Sequence, residues 1–389
     1  MKYWRGYIVA ALFAALTVAL TAFSKSHSVL VDMVYPYVSR LIQTSLSGWV
    51  SGADFCLWQL LLVLLGVLAL ASIVLMIIFR WNFVQWCGWV LASVSLLFML
   101  HTGVYGLNFY AGPLADDIRL ETLVDEEDGT PLYIVAELVE ATTYFRDIAN
   151  DLSDDVPRHA DGTLNYPAFS ELADMAVDGF DSLVFDKHYS VFAGATEPVK
   201  ELGWADMYSS SGITGIHTPL TGESAVNPQT PAVAMPFVMC HEMSHRVCIA
   251  REQDAHLGAF LACDANESPI FRYSGYFMAF RSCYNTLAAM TTTAAAAAAE
   301  EIYAGVGELL MQDLNSYRSF FDEGQDDAAC NLANSADEEF SKGYGQVTDL
   351  LVSWYVQEIY LPAHKDEEVT FNPLDKEQID LNTAATEGP

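Results

Sequence analysis

The run His241-Glu242-Met243-Ser244-His245 is the part of this chain whose residue types and spacing could do chemistry. On a helix, positions i and i+4 share a face one turn apart, so both imidazoles can reach a single metal ion. A glutamate directly after the first histidine then faces a metal-bound water and can serve as its base. The spacing therefore predicts a zinc ion (Zn2+) on His241 and His245, with Glu242 as the catalytic base. A zinc site that keeps one position for water needs a third protein ligand. Just downstream, Ala250-Arg251-Glu252-Gln253-Asp254-Ala255-His256 offers three: Glu252, Asp254 and His256. Glu252 and His256 again stand at i and i+4. A scheme with a third histidine six residues after His245 fails, because Arg251 occupies that position.

The stretch from Glu252 to His256 resembles the Glu-x-x-Ala-Asp/Asn pattern on the second helix of gluzincin-type metallopeptidases. The resemblance implies that Glu252 is the third zinc ligand and that position 256 orients the first histidine. His256 departs from the Asp or Asn found there, so it is an orienting group or an alternative ligand, and Asp254 is the competing carboxylate. Beyond these helices, GITGIHTPLTGESAVN (212–227), the PF-x-x-CHE-x-x-H run, AREQDAHLGAFLAC (250–263) and FRYSGY (271–276) are similar to one particular group. It is an uncharacterised, membrane-anchored His-Glu-x-x-His family of Gram-positive bacteria that carries a domain-of-unknown-function label. The similarity covers most of the chain to about residue 290. Members have Gly where this chain has Cys248, Glu in place of Asp254 and Asn in place of His256. The resemblance implies a mainly α protein: transmembrane helices, then a zincin-like α+β metallopeptidase domain with a small edge sheet. In such a site Tyr273, Tyr276 or His217 would stabilise the oxyanion. The segment from Gly212 to His217 would pair with the substrate backbone, and Glu223 and Asn227 would line the cleft or be solvated.

These residues need elements to hold them, and the composition describes two environments. Eighteen Lys and Arg against fifty Asp and Glu give −32, a field that repels phosphate backbones and excludes a nucleic-acid partner. Residues 1–103 carry five bases and two acids, +3, whereas the remainder carries thirteen and forty-eight, −35. Three long uncharged runs predict membrane spans at about 7–23, 55–79 and 84–106, so residues 1–106 form an anchor in the lipid bilayer. Lys2, Arg5 and Arg80 beside the spans predict a multi-pass protein of the cytoplasmic membrane with an extracytoplasmic domain at 107–361. Cleavage after Ala22-Phe23-Ser24 is the alternative for the first run. Between the first two spans, residues 25–54 read as a helix packing on the spans, or as an interfacial helix presenting substrate.

Within the domain, Thr130 and Pro131 predict the start of an amphipathic helix over 131–152, and Asn165-Tyr166-Pro167 opens another. Residues 204–228 read as short strands and loops. From Met235 almost to Leu361 the pattern is helical, with the alanine run 294–299 inside a long helix. Residues 362–389 read as a flexible acidic tail. Seven scattered cysteines form no C-x-x-C pair; five lie in the exported domain, allowing at most two disulfides, and Cys240 and Cys263 read as buried thiols. The sequence thus predicts a membrane-anchored zinc metallopeptidase acting on a peptide or protein substrate. The competing readings are a non-catalytic zinc-binding receptor or scaffold and a zinc amidase acting on cell-wall peptides.

Overall fold

The computed structural model describes residues 2–124, 132–323 and 337–364. Four helices come first: α1 (Arg5–Ser26), α2 (Ser28–Val50), α3 (Leu57–Ile78) and α4 (Phe83–Val104). Of these, α1, α3 and α4 are long and apolar enough to cross a membrane, and they lie within a few residues of the three expected spans. Each has 22 residues, a rise of about 33 Å that matches a hydrocarbon core. α1 and α4 run side by side in the same direction, closest where Gly6 meets the Gly88 backbone. α3 provides the return between them, tied to α4 by Trp86 Nε1 donating to Ser72 Oγ at 3.3 Å. α2 does not run along the spans. It lies across the C-terminal end of α4, where Tyr35 Oη and Ser39 Oγ donate to the last carbonyls of that helix.

A 3-10 turn (Gly106–Tyr110) and α5 (Leu114–Ile118) lead into the larger domain. It contains α6 (Val135–Asp155), α7 (Phe169–Phe185), β1 (Lys200–Glu201), α8 (Ala205–Ser209), β2 (Gly215–Thr218) and β3 (Glu223–Val226). There follow α9 (Met235–Arg246), α10 (Glu252–Asp264), α11 (Pro269–Ala289), α12 (Thr293–Ala304), α13 (Glu308–Glu323) and α14 (Asp337–Tyr355). The chain is mainly helical, with one three-stranded sheet in the order β1-β3-β2, β1 parallel and β2 antiparallel to β3.

Two expectations shift, and the reading of Cys240 and Cys263 as buried thiols holds. α6 begins at Val135, where Glu137 accepts from the Ile134 N–H, and Thr130 and Pro131 lie outside the described residues. The alanine run belongs to a separate helix, α12, because Met290 is extended and Thr292 Oγ1 caps a new start by accepting from the Ala295 N–H. Six cysteines are free thiols, Cys240 and Cys263 fully buried; no disulfide occurs among the described residues, outside which Cys330 and the tail from 365 onward fall.

The core is one contiguous body built on α9, α10 and α11. α9 is buried on nearly every side, as a helix at the centre of a domain must be. Phe145 of α6, Phe260 of α10 and Trp354 of α14 interlock edge and face, with centroids 4.7–6.1 Å apart.

The sheet is where the apolar helices meet this domain. Glu223, at the start of β3, is buried rather than solvated. Its buried carboxylate accepts from the Leu57 and Trp58 N–H groups at 2.8 and 2.9 Å and pairs with Lys200 Nζ at 2.9 Å. A carboxylate on the first N–H groups of a helix satisfies orphan donors and complements the dipole, so β3 caps α3 from outside it.

Candidate metal centre

α9 starts where Pro236 supplies a helical φ in the first turn, and it runs twelve residues to Arg246. Val247 to Arg251 then turn the chain so that α10 begins at Glu252, facing the end of α9. The turn requires Cys248 to adopt φ +74°, the left-handed region that favours glycine. The Cys248 thiol makes up for it in part by donating to Ser39 Oγ at 3.2 Å.

The two helices bring His241, His245 and Glu252 together. Nε2 of His241 and Nε2 of His245 are 3.1 Å apart, and the Glu252 carboxylate oxygens stand 3.3 Å and 3.5 Å from them. All three ligand atoms lie within 4.8 Å of one another. His245 Nδ1 faces the Ile249 carbonyl at 2.8 Å, which makes Nδ1 the protonated nitrogen and turns the Nε2 lone pair inward. Two imidazole nitrogens and one carboxylate form the donor set that a zinc ion takes when its fourth position is left for water. The residues present fit the ion.

Of the alternatives weighed from sequence, neither joins the cluster. Asp254 is buried, accepts from the Leu114 N–H at 3.3 Å and faces Arg251 at 3.7 Å. His256 turns Nδ1 to the Glu252 carbonyl of its own helix at 2.9 Å. Its ring packs edge-on against His241 at 4.5 Å, without a hydrogen bond to it. His241 Nδ1 is consequently buried with no partner.

Glu242 sits on the opposite flank of the pair. Its carboxylate presses on the β2 backbone at Gly215, where any Cβ would run into it, so only glycine fits. Its Oε2 is buried and unpartnered. Burial pushes this carboxyl up to about 7, although His245 pulls it down. Burial holds His241 down, to about 3. Burial also works against charge on His245 and Glu252, but there the mutual contact wins: His245 is raised and Glu252 is held far below the ordinary carboxylate range.

Of the three candidates for oxyanion stabilisation, the structure brings one to the cluster. His217, on β2, faces Ser224 Oγ at 3.1 Å with Nδ1. Ser224 spends its own proton on the Glu242 carbonyl at 2.6 Å, so Nδ1 of His217 is the donor and its buried, unpartnered Nε2 carries a lone pair. Tyr273 and Tyr276 are spent elsewhere, donating to Asp313 and Asp264 at 2.6 and 2.8 Å. The residue that sequence reasoning missed is Tyr105. It follows α4, is buried, packs at a tilt on the His217 ring with centroids 5.4 Å apart and lies within electrostatic reach of Glu252 and Glu242.

A family model described as a protein of unknown function, DUF3810, matches residues 31–352. No curated protein and no solved structure matches the chain.

Proposed function

The chain belongs to the DUF3810 family, and within it we propose a membrane-anchored, zinc-dependent metallopeptidase of zincin-like fold that hydrolyses peptide bonds at the outer face of the cytoplasmic membrane. The observation that carries this reading is the convergence of His241, His245 and Glu252 within 4.8 Å, with Glu242 buried beside them. A zinc ion held by those three residues supplies a Lewis acid that polarises a carbonyl and brings the pKa of a water toward neutrality. The remaining work belongs to the chain. Ile249 fixes the tautomer of His245. Glu242 takes the proton of the attacking water on Oε2 and delivers it to the leaving amine. The Tyr105 phenol, near the same carboxylates, is the donor we assign to a developing oxyanion. β2 is the edge strand of the sheet and stands against Glu242, so an extended substrate adding to it would pass the base.

The positive flanks of the apolar helices set the orientation: Lys2, Arg5 and Arg80 inside, the acidic domain outside. The test is hydrolysis of a degenerate peptide library by the zinc-loaded full chain in detergent, wild type against Glu242→Gln. The variant should keep its zinc and lose about 10²–10⁴-fold in rate, because it loses the proton acceptor and little volume. If the wild type cuts nothing that the variant spares, in peptides, proteins or cell-wall stem peptides, a binding or scaffolding role replaces catalysis.

A further inference from the structure

The segment between the first two apolar helices is amphipathic in the wrong sense for water. The face of α2 that packs on the protein is polar: Ser39, Gln43 and Ser47 are almost fully buried. The face left open carries Val29, Met33, Val34, Tyr37, Leu41 and Trp49, exposed by 52–86%. A helix in water buries the second set and exposes the first. The bonds to α4 fix its direction. Tyr35, Ser39 and Gln43 span eight residues, about 12 Å of helix, yet all reach carbonyls of just three consecutive residues, Thr102, Gly103 and Val104. A helix running alongside α4 would step along it. α2 therefore crosses the end of α4 at a steep angle, at the level where an apolar span gives way to a polar domain, and like α1 it leaves large apolar side chains exposed.

The buried face of α2 holds the metal helix. Arg40 Nε donates to the Val247 carbonyl at 3.2 Å, Arg246 reaches Ser47 Oγ at 3.3 Å, and Cys248 reaches Ser39. The residues that follow His245 directly, Arg246 to Cys248, thus rest on the buried face of α2.

We propose that α2 lies half-immersed in the outer leaflet with its apolar face among the acyl chains, and that the metal centre acts on polypeptide tethered to the bilayer surface. An apolar open face that carries Tyr37 midway and Trp49 at one end, with a polar opposite face, is what interfacial helices present. The substrate class rests on the peptidase reading; the seat of the helix does not. The experiment uses the zinc-loaded full chain in vesicles of phosphatidylethanolamine and phosphatidylglycerol. A photo-cross-linking benzoylphenylalanine replaces Tyr37 or Leu41, with Asp151 on α6 as the water-exposed control. Positions 37 and 41 should gain the mass of a phospholipid and position 151 should not; a cross-linked dimer, or no lipid adduct, overturns the seat. In parallel, one peptide pool is offered free and with an N-terminal palmitoyl chain at equal bulk concentration. Tethering should raise cleavage at least tenfold through effective concentration, and equal rates overturn the substrate class. Cleavage of neither pool, with lipid adducts present, takes down the peptidase reading and the substrate class together and leaves the seat of α2 standing.

Discussion

Two clusters of buried polar side chains sit within the same helical body, and they differ in how completely they are paired. In the first, Arg158 donates to Asp313 through both terminal nitrogens and to the Ser153 and Gly162 carbonyls, while Tyr273 gives its proton to Asp313. The charges cancel and the donors of Arg158 and Tyr273 are used, although the neighbouring Tyr166 hydroxyl is buried without a partner. In the second, His241 Nδ1, Glu242 Oε2 and His217 Nε2 are buried without partners, and two imidazole lone pairs converge on one carboxylate. A buried polar group left unpaired costs about 1–3 kcal/mol, so three in one place mark a site shaped for something other than stability. The closed cluster fastens α11 and α13 to the loop after α6. The open one joins α9 and α10 to β2 and to the end of α4.

That contrast can be broken by exchanging consequences. Glu252→Ala removes a ligand whose side chain is 64% exposed, so the fold should hardly notice. Zinc affinity of the full chain, read by competition with a chromophoric chelator, should fall about 10²–10³-fold or more, as expected when one of three ligands is lost. Asp254→Ala and His256→Ala should fall less; if either falls further, the third ligand has been misassigned. Asp313→Ala is the mirror experiment. It leaves the Arg158 guanidinium buried with carbonyls alone, and should cost about 3 kcal/mol in chemical unfolding while leaving zinc affinity within twofold.

How much of this could be read in the sequence follows from the range of the interactions. That His241 and His245 share one helix face with Glu242 beside them was legible because i and i+4 spacing is local geometry, and the apolar helices because about 20 uncharged residues admit one structure in lipid. Glu252 was legible by resemblance. Tyr105 was not, since its role depends on α4 ending against β2, 112 residues on from Tyr105 to His217. Glu223 looked like a loop carboxylate because nothing local says that the first N–H groups of α3 will arrive beside it. Tyr273 and Tyr276 were named for their motif, but their hydroxyls are aimed by helix phase relative to α13 and α10, which a short run of letters does not carry.

A raised carboxyl is not by itself a mark of chemistry, and Asp349 sharpens the comparison. Burial lifts it to about 6, against an ordinary value near 4, while the Tyr133 hydroxyl donates to it at 2.6 Å. Its pairing puts it with the closed cluster. A group whose folded pKa exceeds its unfolded pKa favours folding most when it is protonated, and loses that benefit as pH rises through the folded value. Asp349→Asn keeps an acceptor for Tyr133 and removes the ionisation. The variant should gain stability over wild type as pH rises from 4 to 7, by up to about 3 kcal/mol, with zinc affinity and hydrolysis unchanged. A pH-independent difference would show that Asp349 is not held above its unfolded pKa.

The smallest expected effect separates the two clusters most sharply, because it concerns a residue that the sequence placed in one and the structure places in the other. Tyr273→Phe removes one hydroxyl and nothing else from a fully buried ring. Asp313 keeps both contacts to Arg158, so the loss is one hydrogen bond to a charged acceptor, about 1–2 kcal/mol. The ring still fills its place against Phe277, 6.3 Å away. If Tyr273 belongs to the closed cluster alone, hydrolysis and zinc affinity stay within twofold once the protein is assayed well below its unfolding transition. A tenfold or greater fall in kcat with zinc retained would mean that the hydroxyl reaches a reacting oxyanion after all, and the division between the closed and open clusters would not hold. Tyr105→Phe is the matched control. It should leave stability almost untouched, since its hydroxyl makes no hydrogen bond among the described residues, and should lower kcat more than Tyr273→Phe does.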